Sequence, residues 1–121
     1  MVTQTLVVPD IAFGDRVLAA LDKAGFPVTV CLWLLRSDDE WKLVISSPNY
    51  KHPGVDREIF DAMEGQLAPL DPIIRVESNR RPWIQALRKM FGKAGNVRGM
   101  RLGLQTIGDT YIRDAYLYRV K

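Results

Sequence analysis

The stretch Val28-Thr-Val-Cys-Leu-Trp-Leu-Leu35 decides the fold, because it is apolar on both faces of a strand. Alternation would place Val28, Val30, Leu32 and Leu34 on one face, and Cys31, Trp33 and Leu35 on the other. A strand of this composition needs cover on both sides. The fold must therefore bring other elements against each face of it.

The residues that follow predict the partner of this strand. Arg36–Glu40 is a polar turn, and Trp41–Ser47 returns as a second β-branched and aromatic run. Two such runs around a short polar turn indicate an antiparallel hairpin.

A first helix is predicted before the hairpin, over Ile11–Ala24. Asp10 is the predicted N-cap, and Gly25 followed by Pro27 would end the helix. The remaining predicted elements are a helix over Val55–Leu67, a strand over Ile73–Glu77, a helix that begins at Pro82, a strand over Met100–Thr106 and a strand over Tyr111–Val120.

The predicted order is α-β-β-α-β-α-β-β, which gives an α+β fold, a two-layer α/β sandwich with a five-stranded mixed sheet. The two β-α-β steps should be right-handed parallel crossovers and the two β-β steps antiparallel hairpins. We expect residues 1–121 to form a single α/β domain. If the strands lie in sequence order, the second and third helices share one face. The other face would then keep apolar surface for a homodimer or another protein partner.

Composition excludes several classes of site and compartment. No apolar run approaches the roughly 20 residues of a membrane helix, and the N-terminal residues lack the basic region of a secretory signal. One cysteine, Cys31, rules out an internal disulfide and fits a cytoplasmic protein. The chain has one histidine, His52, and one cysteine, which are too few ligands for a Cys/His zinc site. We expect no metal, no cofactor and no membrane partner.

Charge is distributed unevenly along the chain. Ser78–Gly108 holds seven basic residues and no acidic residue, whereas residues 1–77 hold seven basic and twelve acidic residues. An asymmetry of this size suggests an anionic partner for one part of the molecule.

The helix that begins at Pro82 would sort these charges by face. An apolar arc of Ile84, Leu87, Met90 and Phe91 would oppose an arc that holds Gln85 and the cations. The candidate anion- or nucleic-acid-binding residues on this helix and the Gly-rich segment after it are Arg81, Arg88, Lys89, Lys93, Arg98 and Arg101. The surface has three interpretations: a solvated helix face, a contact for an acidic protein, or a nucleic-acid contact in which Trp83 or an exposed tyrosine stacks on a base.

The segment from Ser46 to Gly54 is the second candidate site, because it follows a strand and precedes a helix. Its chemistry-bearing residues are Ser46, Ser47, Tyr50, Lys51 and His52. A hydrolase or transferase would have to use His52, yet no Gly-x-Ser-x-Gly sequence surrounds either serine. A turn and helix cap is the simpler interpretation, and no residue is predicted to be catalytic.

Three segments resemble a group of short bacterial α/β proteins with no assigned activity. They are Val30-Cys-Leu-Trp-Leu34, Trp41-Lys-Leu-Val-Ile-Ser-Ser-Pro48 and the segment Asp109–Arg119. The resemblance implies a bacterial, cytoplasmic, free-standing domain and carries over no functional residue.

The sequence therefore predicts a non-enzymatic interaction module. It would self-associate or bind a protein partner through sheet surface and opposed charged faces. A nucleic-acid accessory protein and a small hydrolase or transferase are the alternatives.

Overall fold

A computed structural model describes residues 8–37, 40–48 and 74–121, with side chains from residue 11 onward. Its elements in chain order are α1 (Val8–Lys23), β1 (Val30–Leu35), β2 (Trp41–Ser47), β3 (Ile74–Ser78), α2 (Pro82–Phe91), β4 (Arg101–Leu102), β5 (Gln105–Ile107), β6 (Thr110–Ile112) and β7 (Asp114–Val120). The α+β class and the five-stranded mixed sheet are confirmed. The predicted helix over Val55–Leu67 lies outside the described residues.

Strand order is β3-β2-β1-β7-β4, so the strands do not lie in sequence order. The β1–β2 hairpin is antiparallel and β2 pairs in parallel with β3, as predicted. The second predicted parallel crossover is wrong, because β4 pairs antiparallel with β7 at the opposite edge from β3. The chain between β3 and β4 thus crosses the whole sheet, and β1 becomes its central strand.

The two predicted C-terminal strands are each divided in two. Leu104, between β4 and β5, has a left-handed backbone with φ of 54°, which ends the extended strand after Leu102. Beyond this bend, β5 and β6 form a separate two-stranded hairpin, and β7 returns to the main sheet beside β1.

Both faces of β1 are buried, as its composition predicts. On one face, Val30, Leu32 and Leu34 pack with Trp83, Ile84 and Leu87 of α2 and with Ile107 and Ile112 of the small hairpin. On the other face, Cys31 and Trp33 pack with Val17 and Leu21 of α1. The predicted dimer depended on an apolar sheet face that no helix covers. Among the described residues, both faces of β1 are covered.

Helix α1 begins three residues before its predicted start at Ile11 and ends one residue before its predicted end at Ala24. The helix begins at Val8, so Asp10 lies inside it and the predicted N-cap is wrong. Gly25 ends the helix as predicted, with φ of 78°. Phe26 N–H donates to Leu21 O at 2.9 Å and Gly25 N–H to Asp22 O at 3.1 Å, the paired bonds of a Schellman motif. Neither α1 nor α2, the helices of the described residues, is long and apolar enough to cross a membrane.

Candidate functional site

Helix α2 carries the basic residues because its sequence separates apolar from charged positions. Pro82 is its first residue, a position where proline loses no hydrogen bond. Trp83, Ile84 and Leu87 are buried against the sheet. Arg88 and Lys89 are exposed in the last turn, as predicted, where cations complement the helix dipole.

Two side-chain predictions for this helix are wrong. Trp83 is only 2% exposed, so it cannot stack on a base. Met90 is 53% exposed rather than part of the buried arc, and it stands beside Lys89. The helical wheel did not predict an exposed methionine that follows Lys89 in the sequence.

Three of the six candidate cations are already paired with carboxylates of the same chain. Arg98 donates through two nitrogens to Asp15, with Nε 3.3 Å from Oδ1. Arg101 binds Asp114 in the same way, with Nε 3.1 Å from Oδ1. The remaining pair joins Nε of Arg81 to Oε2 of Glu77 at 3.5 Å. These three arginines have much of their charge matched before any partner arrives.

The paired arginines also lie far apart. Arg81 is next to β3 at one edge of the sheet and Arg101 is in β4 at the other. Four strand spacings of about 4.8 Å put these edges roughly 19 Å apart. The structure therefore divides the basic stretch and does not gather it into one site.

The other three candidate cations, Arg88, Lys89 and Lys93, lie around the end of α2. Nε of Arg88 donates to the carbonyl oxygen of Lys121 at 2.7 Å, which joins the helix to the end of β7. Lys89 and Lys93 are four residues apart and exposed, and neither makes an ion pair within the described part of the chain. We call Arg88, Lys89, Lys93 and Lys121 the α2 cationic surface.

The second candidate site is described only in part. Ser46 is fully buried at the end of β2, and Ser47 is 1% exposed. Tyr50, Lys51 and His52 lie outside the described residues, so the predicted loop chemistry stays a prediction.

Ser46 belongs to a polar cluster that sequence reasoning missed. Its hydroxyl and that of Thr29 both donate to Oδ1 of Asn79, the latter at 2.6 Å. The backbone N–H of Thr29 also donates to Ser46 O at 2.9 Å. An amide oxygen is too weak a base to take the serine proton. The cluster therefore joins the start of β1 to the ends of β2 and β3, and its amide does not activate Ser46 as a nucleophile.

In the described residues, Cys31 is not a reactive thiol and the carboxylates form no metal site. Burial raises the pKa of the Cys31 thiol to about 12, which keeps it protonated. No group of three or more His, Cys, Asp or Glu side chains that could hold a metal ion occurs in residues 11–37, 40–48 and 74–121. The α2 cationic surface is thus the candidate site with the clearest chemistry.

Comparison with known proteins adds no relative, since no family model, no curated protein and no solved structure matches the chain.

Proposed function

We propose that the protein is a small interaction module that binds an acidic partner protein through the α2 cationic surface. The observation that carries the proposal is the contrast within the basic stretch. Arg81, Arg98 and Arg101 are ion-paired inside the chain, whereas Lys89 and Lys93 are exposed and lack an ion pair in the described residues. We include a cytoplasmic location in the proposal, because the one cysteine is a free thiol.

Exposed Met90 favours a protein partner over nucleic acid. Methionine and arginine are enriched at protein interfaces, where an apolar centre is bordered by polar groups. A phosphate backbone offers no such apolar contact. Three or four unpaired cations would also neutralise fewer phosphates than the six to ten contacts typical of strong nucleic-acid binding.

The carboxylates of the described residues are mostly paired within the chain. Five of the six carboxylates whose side chains the structure describes already have a cation partner, and they are Asp15, Asp22, Glu40, Glu77 and Asp114. Only Asp109 of this described set has none. The described surface thus offers few carboxylates to a second copy of α2.

The test compares two double charge reversals of equal net charge. Lys89→Glu/Lys93→Glu alters the α2 cationic surface, and Arg16→Glu/Lys23→Glu alters exposed positions on α1. The probe is a fluorescent poly-glutamate peptide, titrated at low salt. We expect the α2 variant to weaken binding about tenfold or more, because two ion pairs become repulsions, and the α1 variant to change it by less than about twofold.

Equal losses in both variants, or no binding of the peptide by the unmodified protein, would refute the proposal. A labelled oligothymidylate is titrated in parallel. Tighter binding of the oligonucleotide, with a salt slope that requires more than four phosphates, would favour the nucleic-acid alternative. Light scattering at tens of micromolar reports on self-association, and loss of a dimer only in the α2 variant would identify a second copy as the partner.

A further inference from the structure

A cleft lies between the end of α1 and the part of the sheet where β1 begins and β7 ends. Its volume is about 320 Å³, and its walls are Asp22, the segment from Gly25 to Thr29, Arg119 and Lys121. The left-handed Gly25 turns the chain sharply after α1, and no atom lies within 4 Å of the position where a β-carbon would stand. The backbone at this turn is therefore open to an approaching molecule.

Cations outnumber carboxylates around the cleft. Arg119 and Lys121 line it, and Arg88 is held beside it by its bond to Lys121 O at 2.7 Å. Asp22 is the one acidic side chain in the lining. The terminal carbonyls of Leu21 and Asp22 accept bonds from Phe26 and Gly25, which reduces the negative partial charge that the end of α1 presents.

The contact between Asp22 and Arg119 shows the geometry in which this cleft would bind an oxyanion. The two terminal nitrogens of Arg119 donate to its two carboxylate oxygens at 2.8 and 2.7 Å, the fork geometry that arginine uses for carboxylates and phosphates. Arg119 also points its Nη1 at Val28 O, 3.5 Å away, which fixes the guanidinium against the cleft wall. Lys121 makes no ion pair within the described residues, so its three donors are available.

We propose that this cleft binds a small anionic ligand through a carboxylate or phosphate group held by Arg119 and Lys121. Asp22 accepts two hydrogen bonds from the Arg119 guanidinium and would compete with the ligand for it. The volume is at the lower end of the range for small-molecule sites, so the ligand is of metabolite size rather than a polymer. This proposal shares Lys121 with the α2 cationic surface, whereas Lys89 and Lys93 belong to that surface alone, so variants of these two lysines distinguish the two sites.

Because Asp22 competes with the ligand, its removal and the removal of Arg119 or Lys121 should change the affinity in opposite directions. Inorganic phosphate and citrate are titrated against the ¹⁵N-labelled protein, and amide shifts of residues 25–29 are followed. We expect Asp22→Asn to tighten binding several-fold, because Arg119 is released and a negative charge is lost. We expect Lys121→Ala to weaken it several-fold and Arg119→Ala to abolish saturation, whereas the matched surface variant Lys93→Ala should bind like the unmodified protein.

The proposal is overturned if neither the unmodified protein nor Asp22→Asn shows a saturable shift below about 10 mM of either anion. It is also overturned if Lys93→Ala and Lys121→Ala weaken binding equally. Weaker binding in Asp22→Asn than in the unmodified protein would overturn it as well. Thermal unfolding of each variant excludes loss of fold as the cause, and Asp22→Asn and Lys121→Ala alter exposed side chains. Preference for citrate or phosphate distinguishes a carboxylate from a phosphate ligand. Unchanged titrations in Lys89→Glu/Lys93→Glu separate this site from the proposed partner surface.

Discussion

The indole N–H of Trp33 donates to the phenolic oxygen of Tyr118 at 3.0 Å, inside the layer between the sheet and α1. The Tyr118 hydroxyl in turn donates to the carbonyl oxygen of Ile11 at 2.7 Å. One phenol thus joins β1, β7 and α1, although its two partners are 22 residues apart in sequence. Burial raises the pKa of Tyr118, so the hydroxyl remains a donor at neutral pH.

Tyr118→Phe should destabilise the fold. The change removes the hydrogen bonds to the Trp33 N–H and to the Ile11 carbonyl, each worth about 0.5–1.5 kcal/mol. The free energy of unfolding is measured by urea denaturation. Tyr111→Phe is the control, because Tyr111 is 46% exposed and should change stability by less than about 0.5 kcal/mol. Equal stability of the two variants would contradict the role of this hydroxyl.

Gly14→Ala should also destabilise, although alanine is the better helix former. A β-carbon at position 14 would lie 2.5 Å from Cζ of Tyr118, which is a steric overlap with the ring. Overpacking of this kind costs about 1–3 kcal/mol. Ala19→Gly at an exposed position of the same helix should lose about 1 kcal/mol. A Gly14→Ala variant that melts above the unmodified protein would show that α1 can move away from Tyr118.

The Cys31 thiol should not react in the folded protein. Burial raises its pKa from 9.0 to about 12, and the side chain is fully buried. Iodoacetamide at pH 8 should therefore modify Cys31 only after the chain is unfolded in urea, as mass spectrometry will show. Stoichiometric labelling within minutes under native conditions would contradict this burial.

The Asp22–Arg119 pair should make stability depend on acid pH. The hydrogen bond from Arg119 lowers the pKa of Asp22 below 3.8, so the folded state holds the carboxylate ionised more strongly than the unfolded state does. The stabilisation is present above that value and is lost as pH falls through the folded pKa. Because the Asp22 side chain is 44% exposed, the pair contributes about 0.2–1 kcal/mol.

Urea unfolding of Asp22→Asn checks this pH dependence. The variant should be less stable than the unmodified protein at pH 7, and the difference should be smaller at pH 2. Asp109→Asn, which removes a carboxylate with no cation partner among the described residues, should show no such convergence. A constant difference for Asp22→Asn at both pH values would rule out ionisation as its source.

Leu104→Gly should leave the protein as stable or make it more stable. Leu104 is 79% exposed with φ of 54°, a conformation that costs a leucine roughly 1–2 kcal/mol. Glycine removes this strain but gains entropy in the unfolded chain, so the net gain is at most about 1 kcal/mol. Leu102→Gly, at a half-buried strand position, should instead lose stability by the same denaturation assay.

The local elements could be predicted from patterns of neighbouring residues. The apolar run at β1 predicted a strand buried on both faces, Trp41–Ser47 predicted β2 with its observed bounds, and Pro82 predicted the first residue of α2. These features depend on periodicity and on single-residue backbone preferences, which act over a few neighbouring positions.

Strand order and the distribution of unpaired cations depend on tertiary packing. Arg98 reaches Asp15 across 83 residues, and the chain from β3 to β4 crosses the sheet to its opposite edge. No local pattern specifies either outcome, because both depend on which distant segments pack together. Of the seven cations in Ser78–Gly108, ion pairing matches Arg81, Arg98 and Arg101. Arg88, Lys89 and Lys93 lie around the end of α2, and Arg80 precedes the helix.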